Sequence, residues 1–240
     1  MRKFALITGA SGGIGRAIAL KLAEDGYSLY LHYNANAAGI RSLISELDPF
    51  GGDYIPIQAD LSTREGSRLI AENVFSIDAV IHNAGYSIYG MLEDLSENDA
   101  EKLVQTHITS PMLLTKTLLP KMVQKKQGSI LFVSSIWGQT GAACEVAYSA
   151  VKGAQIAFAK ALSKEVAPSN IRVNAIAPGA IDTVMLESFS SEEKAELKAD
   201  IPLGRFGAPE NIADGVSFLL SEKASYITGQ VLSINGGWYI

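Results

Sequence analysis

The chain has 240 residues, 48% of them hydrophobic and 19% charged, with 22 glycines, one cysteine and a formal net charge of −5. A chain of this length buries roughly 70% of the surface its unfolded form exposes, so it needs no disulfide or metal staple. One cysteine excludes a disulfide framework and a multi-cysteine metal site, the acidic balance argues against nucleic acid as a partner, and the composition fits neither disorder nor a coiled coil.

The first apolar run, Phe4 to Ile7, is too short for a signal-peptide core or a membrane span. With the sparing use of cysteine, this gives the expectation of a cytoplasmic protein with no membrane partner. The run reads instead as a strand covered on both faces. Ile14, Ala17, Ile18 and Leu22 then recur at helical spacing, predicting a helix over 15–25 that Gly26 stops. A strand over 27–33, a helix over 35–47 ending near Pro49, and a strand over 54–58 follow. Ser62 is the expected cap of a helix running to 74. The next strand covers 78–82 and ends in Asn83-Ala84-Gly85.

A long helical stretch over 97–124 carries Ser110-Pro111, an expected kink. Strands over 129–134, 171–176 and 230–234 alternate with helices over 148–166, 190–198 and 210–220. Strands separated by helices of this length need crossover connections. The pattern predicts an α/β fold, a doubly wound and mainly parallel seven-stranded sheet with helices on both faces, in one domain over 1–240.

Thr8-Gly9-Ala10-Ser11-Gly12-Gly13-Ile14-Gly15 lies between the first strand and the first helix. A turn this small lets the backbone approach a pyrophosphate, and the helix N-terminus offers free N–H groups and a favourable dipole. The spacing is not the plain G-x-G-x-x-G, and without Gly-Lys-Ser/Thr it is not a P-loop. The second strand ends Leu31-His32-Tyr33-Asn34, with no carboxylate to hold a ribose hydroxyl or repel a 2′-phosphate. That favours NADP(H), with NAD(H) as the alternative; Arg41 and Arg16 are the nearby bases, and His32 is expected to decorate the adenosine end of the cleft.

Tyr148 and Lys152 are one helical turn apart and share a face. An ammonium beside a phenol lowers its pKa from about 10, and a phenol so tuned exchanges a proton with a carbonyl or alcohol oxygen. Ser135, after the fifth strand, supplies a hydroxyl to orient the same oxygen.

Together these residues resemble the short-chain dehydrogenase/reductase family, in particular its 3-oxoacyl-[acyl-carrier-protein] reductase branch. The likeness continues through Asp60, Asn83-Ala84-Gly85, Pro178-Gly179, Thr183, Pro202-Leu203-Gly204-Arg205, Pro209-Glu210, Ile227-Thr228-Gly229-Gln230 and Asn235-Gly236-Gly237. It implies a Rossmann-type fold in which Gly9, Ser11, Gly12, Gly13, Ile14 and Gly15 cradle the pyrophosphate, and Tyr33 and Asn34 flank the adenosine. Asp60 would hold the adenine edge with Leu61 beside the ring, and Asn83, Ala84 and Gly85 would pack on the adenosine half. Pro178, Gly179 and Thr183 would shape the nicotinamide pocket, with backbone contacts from Ile181. Tyr148 would be the general acid, Lys152 would hold the ribose and tune the tyrosine, and Ser135 would position the carbonyl.

Two positions depart from the family pattern. His82 replaces the first Asn of Asn-Asn-Ala-Gly, as an expected packing change, and His107 replaces a catalytic asparagine in the long helix. Imidazole both donates and accepts, so a relay through His107 is a candidate part of the chemistry.

The implied substrate is a small carbonyl compound, with a 3-oxoacyl thioester, carried on acyl carrier protein, ahead of a sugar, polyol or steroid. A dinucleotide-binding regulatory protein of weak or no activity is the reading from another class. A cover over about 181–202 and a homotetramer, or failing that a homodimer, complete the implied picture. Lys121, Lys125 and Lys126 are candidates for steering an acidic carrier, and Cys144 and Trp137 are expected along the substrate cleft.

Overall fold

The computed structural model describes residues 2–186 and 189–240. β1 (Phe4–Ile7), β2 (Ser28–Tyr33), β3 (Tyr54–Gln58), β4 (Ala79–His82), β5 (Gly128–Val133), β6 (Ile171–Pro178) and β7 (Val231–Ile234) form one seven-stranded sheet in the order β3-β2-β1-β4-β5-β6-β7. Every strand pair is parallel. The order reverses between β1 and β4, and in open parallel sheets ligands bind in the crevice at that point, beyond the carboxyl ends of the strands.

The strands read as unbroken apolar runs because alternate residues serve two cores. Ala5, Ile7, Leu29, Leu31, Leu131 and Val133 face α1 (Gly13–Glu24), α2 (Ala37–Leu47) and α9 (Pro209–Leu220). Leu6, Tyr30, Val80, Ile130 and Phe132 face α3 (Arg64–Glu72), α5 (Ser110–Lys125) and α7 (Val146–Val166). Burying a Leu or Ile side chain contributes about 1.5–3 kcal/mol, and both faces are filled with them. α4 (Glu97–Val104), the single turn α6 (Trp137–Thr140) and α8 (Ser191–Asp200) complete the described helices of this type.

Two expectations need correcting. Thr63, not Ser62, caps α3: its hydroxyl accepts from Gly66 N at 3.2 Å, while the Ser62 N–H is turned onto Asp60 Oδ1 at 2.8 Å. The break in the long helix precedes the proline, as a π-turn over Gln105–Thr109. Pro111 then sits in the first turn of α5, where a missing N–H costs little. It has no N–H to return to the carbonyl four residues back, that of His107, and Gln155 Nε2 donates to that oxygen instead, at 2.9 Å. Ser110 Oγ donates to Leu61 O at 2.7 Å and pins the bend to the turn between β3 and α3.

The expected cover over 181–202 includes Glu187 and Ser188, which lie outside the described residues. Around them, Ile181 pairs with Gly207, a short turn spans Val184–Leu186, and α8 is closed by a Ser190/Glu193 capping box with no buried residue along it.

Gly15 stands where a Cβ would lie 2.1 Å from the carbonyl oxygen of Gly9. A backbone atom cannot swing aside as a side chain does. Gly15→Ala is therefore expected to destabilise the fold by about 1–3 kcal/mol, read as a lower urea midpoint; an unchanged midpoint would show that the turn relaxes freely.

Candidate active site

The carboxyl ends of β1, β4, β5 and β6 converge on one crevice, and its floor is a hydrogen-bond node. Thr8 Oγ1 accepts from the backbone N–H groups of Asn83 and Ala84, both at 3.0 Å. Asn83 Nδ2 returns two bonds, to Thr8 O at 3.0 Å and Gly9 O at 3.2 Å. Gly9 is left-handed at φ 70°, and a Cβ there would meet Ala84 Cα at 2.9 Å. Asn83 thus holds the glycine-rich turn onto the end of β4.

The turn delivers the chain into α1, whose N-cap Gly12 has no side-chain acceptor and whose first turn carries no acid. Its leading N–H groups and dipole are free for an anion. A Cβ on Gly13 would lie 2.9 Å from the Thr183 methyl, so Thr183 stands against this turn. Across the crevice, Gln58 Nε2 donates to Asn34 O at 2.9 Å, fixing the end of β2 beside Tyr33 and Asn34. Arg16 is engaged by Glu46, whereas Arg41 is exposed and makes no ion pair among the described residues.

Asp60 is exposed at the crevice edge. Leu61 points its side chain into the core, so its backbone alone is available to a ring there. Ile181 is likewise buried, and its carbonyl accepts from Thr183 Oγ1 at 3.4 Å. Gly179 packs against Asn235, where a Cβ would lie 2.9 Å from Cα, and Ile136 N donates to Pro178 O at 3.0 Å. Ser11 lies on the turn itself, half-buried, and Ile14, in the first turn of α1, packs against the core with its backbone toward the turn.

Ser135, Tyr148 and Lys152 come together beyond β5, each less than a tenth exposed. Lys152 Nζ donates to Val133 O at 2.8 Å, and Ser134 Oγ donates to the Lys152 carbonyl at 2.8 Å, which locks α7 to the strand end. The ammonium nitrogen lies 5.5 Å from the centre of the Tyr148 ring. The expectation that Lys152 lowers the phenol pKa needs revision for this state. Burial pushes Tyr148 up, the Glu145 carboxylate pushes it further, and the Ser135 hydroxyl opposes both. Burial also pushes Lys152 down to about 7. A desolvated lysine that is half neutral near pH 7 is a weak source of positive field.

His107 lies in the π-turn, fully buried, edge-on to Tyr148 with ring centres 5.8 Å apart. Its Nε2 faces the backbone of Tyr86, within 3.2 Å of N and 2.9 Å of O, and the tautomer decides which bond forms. Burial pushes its pKa down to about 3, with Lys152 contributing, so it is a neutral imidazole near pH 7. Gly85 makes room for it: a Cβ there would lie 2.3 Å from His107 Cε1. His82 stacks on Phe132 at 4.7 Å, and its Nε2 meets Thr115 Oγ1 at 2.8 Å, which is a packing role.

The basic run at the end of α5 is mostly spent internally. Lys121 donates to Val74 O, and Lys125 to Asp78 Oδ1 at 3.0 Å, because both reach the loop before β4. Trp137 packs edge-on against Trp238 at 5.0 Å, and Cys144 lines a cavity of about 70 Å³ with Tyr89, Met91, Leu92 and Val146. His32 is not at the surface of the cleft: it is 2% exposed and sits beneath the glycine turn. Gln155 was not singled out from sequence, although a polar residue on the Tyr148/Lys152 face of α7 is the signal that marks it.

Residues 9–239 match a family model described as enoyl-(acyl carrier protein) reductase. The chain belongs to that family, within the short-chain dehydrogenase/reductases. It is an NAD(P)-dependent oxidoreductase acting on a carbonyl/alcohol pair. It is 53% identical over 241 residues to an uncharacterized oxidoreductase, YmfI, of Bacillus subtilis (strain 168), covering all of both chains. It is 38% identical over 242 residues to the 3-oxoacyl-[acyl-carrier-protein] reductase FabG of Aquifex aeolicus (strain VF5), covering 99% of this chain and 97% of that one. The FabG of Staphylococcus aureus (strain Mu50 / ATCC 700699) is 35% identical over 244 residues, covering 100% and 99%. Among the described residues no helix is long and apolar enough to cross a membrane, and no cluster of side chains fits a metal ion.

The three histidines are all buried and held neutral, with pKa values pushed to about 4 for His32 and about 3 for His82 and His107. Unfolded histidine titrates near 6.5, so below that pH the unfolded chain takes up protons that the folded chain refuses. Stability is lost as pH falls from about 6.5, by about 2 kcal/mol per histidine at about pH 5. The urea midpoint is expected to fall between about pH 7.5 and about pH 5, and His82→Asn to flatten that fall by one histidine's share. A wild-type midpoint that stays level, or a fall that His82→Asn leaves unchanged, contradicts the burial argument.

Proposed function

We propose that the protein reduces a 3-oxoacyl thioester to the 3-hydroxyacyl thioester with NADPH, at the Ser135–Tyr148–Lys152 cluster, within one domain over 1–240. The observation that carries this reading is the cluster itself: a phenol, a hydroxyl and an ammonium, all buried, at the crevice end of the sheet beside an uncapped helix N-terminus. The choice of substrate rests on likeness to two 3-oxoacyl-[acyl-carrier-protein] reductases along the whole chain. The apolar wall of Tyr89, Met91, Leu92 and Val146 suits an acyl chain.

The residues present fit a dinucleotide. Gly12 and Gly13, where the turn enters the helix, have no Cβ to keep a pyrophosphate away, and the helix they open has neither side-chain cap nor first-turn acid. The nicotinamide supplies the hydride when it is bound. Ser135 Oγ donates a hydrogen bond to the substrate carbonyl and polarises it. Tyr148 holds its proton firmly, because burial raises its pKa, and hands it to the oxygen only as negative charge develops there. Lys152, with a pKa near 7, is suited to return a proton to the phenol. His107, neutral and bonded to Tyr86, supports the phenol from behind rather than titrating.

For the cofactor, the absence of a carboxylate at Tyr33-Asn34 favours NADP(H) over NAD(H). Arg41 is the base left to meet a 2′-phosphate, since Glu46 occupies Arg16. The subunits are proposed to assemble as a homotetramer through α4, α5, α7 and the C-terminal segment; on α4, α5 and the C-terminal segment Val104, Met112, Leu113 and Ile240 leave apolar surface exposed. The cytoplasm is the proposed compartment. A cover built from the segment around α8 would expel water from the crevice.

Acetoacetyl thioester is expected to drive NADPH oxidation, and Tyr148→Phe to lower kcat by about 10²–10⁴. No turnover above blank with any oxoacyl thioester, alongside turnover of a sugar or polyol substrate, would move the reading to another carbonyl. Arg41→Ala is expected to cut kcat/KM for NADPH about tenfold and leave NADH unaffected. An equal loss with both cofactors would remove the phosphate contact from Arg41.

A further inference from the structure

His32 occupies the fifth position of β2, a strand otherwise filled by Leu, Tyr and Ser, and its ring is 2% exposed. Its Nδ1 accepts from the Gly9 N–H at 3.1 Å, which means that nitrogen carries no proton. The proton therefore sits on Nε2, which donates to Ala59 O at 3.1 Å. The same residue's carbonyl accepts from Ala10 N at 2.8 Å. One neutral imidazole and its own backbone thus fasten Gly9 and Ala10 of the glycine turn to Ala59, the residue that follows β3 and precedes Asp60.

We propose that His32 is a positioning residue for the dinucleotide, a strut that holds the pyrophosphate turn and the adenine-side wall at a fixed separation. This rests on the NAD(P)-dependent reading of the crevice. Asn83 secures the other side of the same turn through Thr8 and Gly9 carbonyls, so Gly9 is held from β4 by its oxygen and from β2 by its nitrogen. Gly9 has the left-handed backbone that makes it the hinge of the turn. Without His32 the half-buried Gly9 N–H and the buried Ala59 carbonyl lose their partners, and the cheapest relief is for the turn to shift. The leading N–H groups of α1 follow the turn directly, so their aim at a pyrophosphate shifts with it. His32 touches no reacting atom, so its removal weakens cofactor binding far more than it slows the chemical step.

The test combines three measurements on the full-length protein. Nitrogen-15 NMR of labelled imidazole reads the tautomer of His32 without any ligand, and hydrogen exchange reads the protection of the Gly9 amide. Fluorescence titration gives Kd for NADPH and NADH in wild type, His32→Leu and His32→Asn. Steady-state kinetics separates KM for the dinucleotide from kcat. The expected results are an unprotonated Nδ1, a protected Gly9 amide, and a Kd raised about tenfold or more in His32→Leu. The loss is expected to be smaller in His32→Asn, whose Oδ1 reaches the place of Nδ1, and kcat is expected to fall far less than KM rises. A protonated Nδ1, or an unchanged Kd in both variants, overturns the proposal. So does a parallel loss of thermal stability and kcat with Kd unchanged, which is the mark of a purely structural histidine. If His32→Leu does not fold, His32→Asn and the tautomer decide. Wild type that binds neither dinucleotide overturns the reading of the crevice as a cofactor site, and this proposal with it; wild type that binds while the variants match it overturns the proposal alone.

Discussion

The structure depends on one constraint at the point where the strand order reverses: the turn after β1 must be left-handed at Gly9, tight enough that Gly15 nearly touches it, and still held in place. Main-chain groups in such a turn have few partners of their own, and an unpaired polar group in a dry site costs about 1–3 kcal/mol. Asn83 and His32 supply the missing partners from the ends of β4 and β2, and the Thr8 hydroxyl holds the Asn83 and Ala84 N–H groups in place. The strands in turn are held in register by two apolar layers, so the sheet core fixes the hydrogen-bond node and the node fixes the crevice. The uncapped start of α1 is the outcome: a set of N–H donors left open toward the solvent side while the main chain of Gly9 behind them is paired.

The candidate chemistry sits on the same frame and follows the same logic. Ser134 and Lys152 tie α7 to the end of β5 by two bonds, which leaves Tyr148 one turn earlier, walled by His107 and Ser135. Drying this corner holds the phenol protonated and brings the lysine down to about 7. The first shift suits a phenol that keeps its proton until a carbonyl oxygen demands it, and the second suits a lysine that can give one up. The burial of His107 is accommodated only in part: Gly85 leaves the space, Tyr86 partners Nε2, and Gln155 takes the carbonyl that Pro111 cannot reach, while Nδ1 is buried without a partner among the described residues.

Much of this was legible in the amino-acid sequence because it is carried by pattern. Apolar runs separated by helical periods imply a parallel sheet whatever the details, and the glycine turn, Ser135, Tyr148 and Lys152 stand at recognisable places within it. What was not legible depends on contacts far apart in the chain. Pro111 marks a helix disturbance, but the π-turn at Gln105–Thr109 also reflects Ser110 bonding to Leu61 and Gln155 bonding to His107, which no local propensity encodes. His32 reads as a cleft residue because a polar side chain at a strand end is expected near solvent; its burial follows from two backbone partners just beyond β1 and β3. Lys121 and Lys125 read as a free basic face and are instead tied to the loop before β4.

The central claim is that hydride passes at this crevice to a 3-oxoacyl carbonyl. Deuterium at the nicotinamide C4 of NADPH, placed on each face in turn, followed by mass spectrometry of the product from acetoacetyl thioester, tests it most directly. The account predicts a 3-hydroxy product carrying one deuterium on the former carbonyl carbon, from one of the two labelled faces only. A product with deuterium from neither face, or label found at any other carbon, would contradict it.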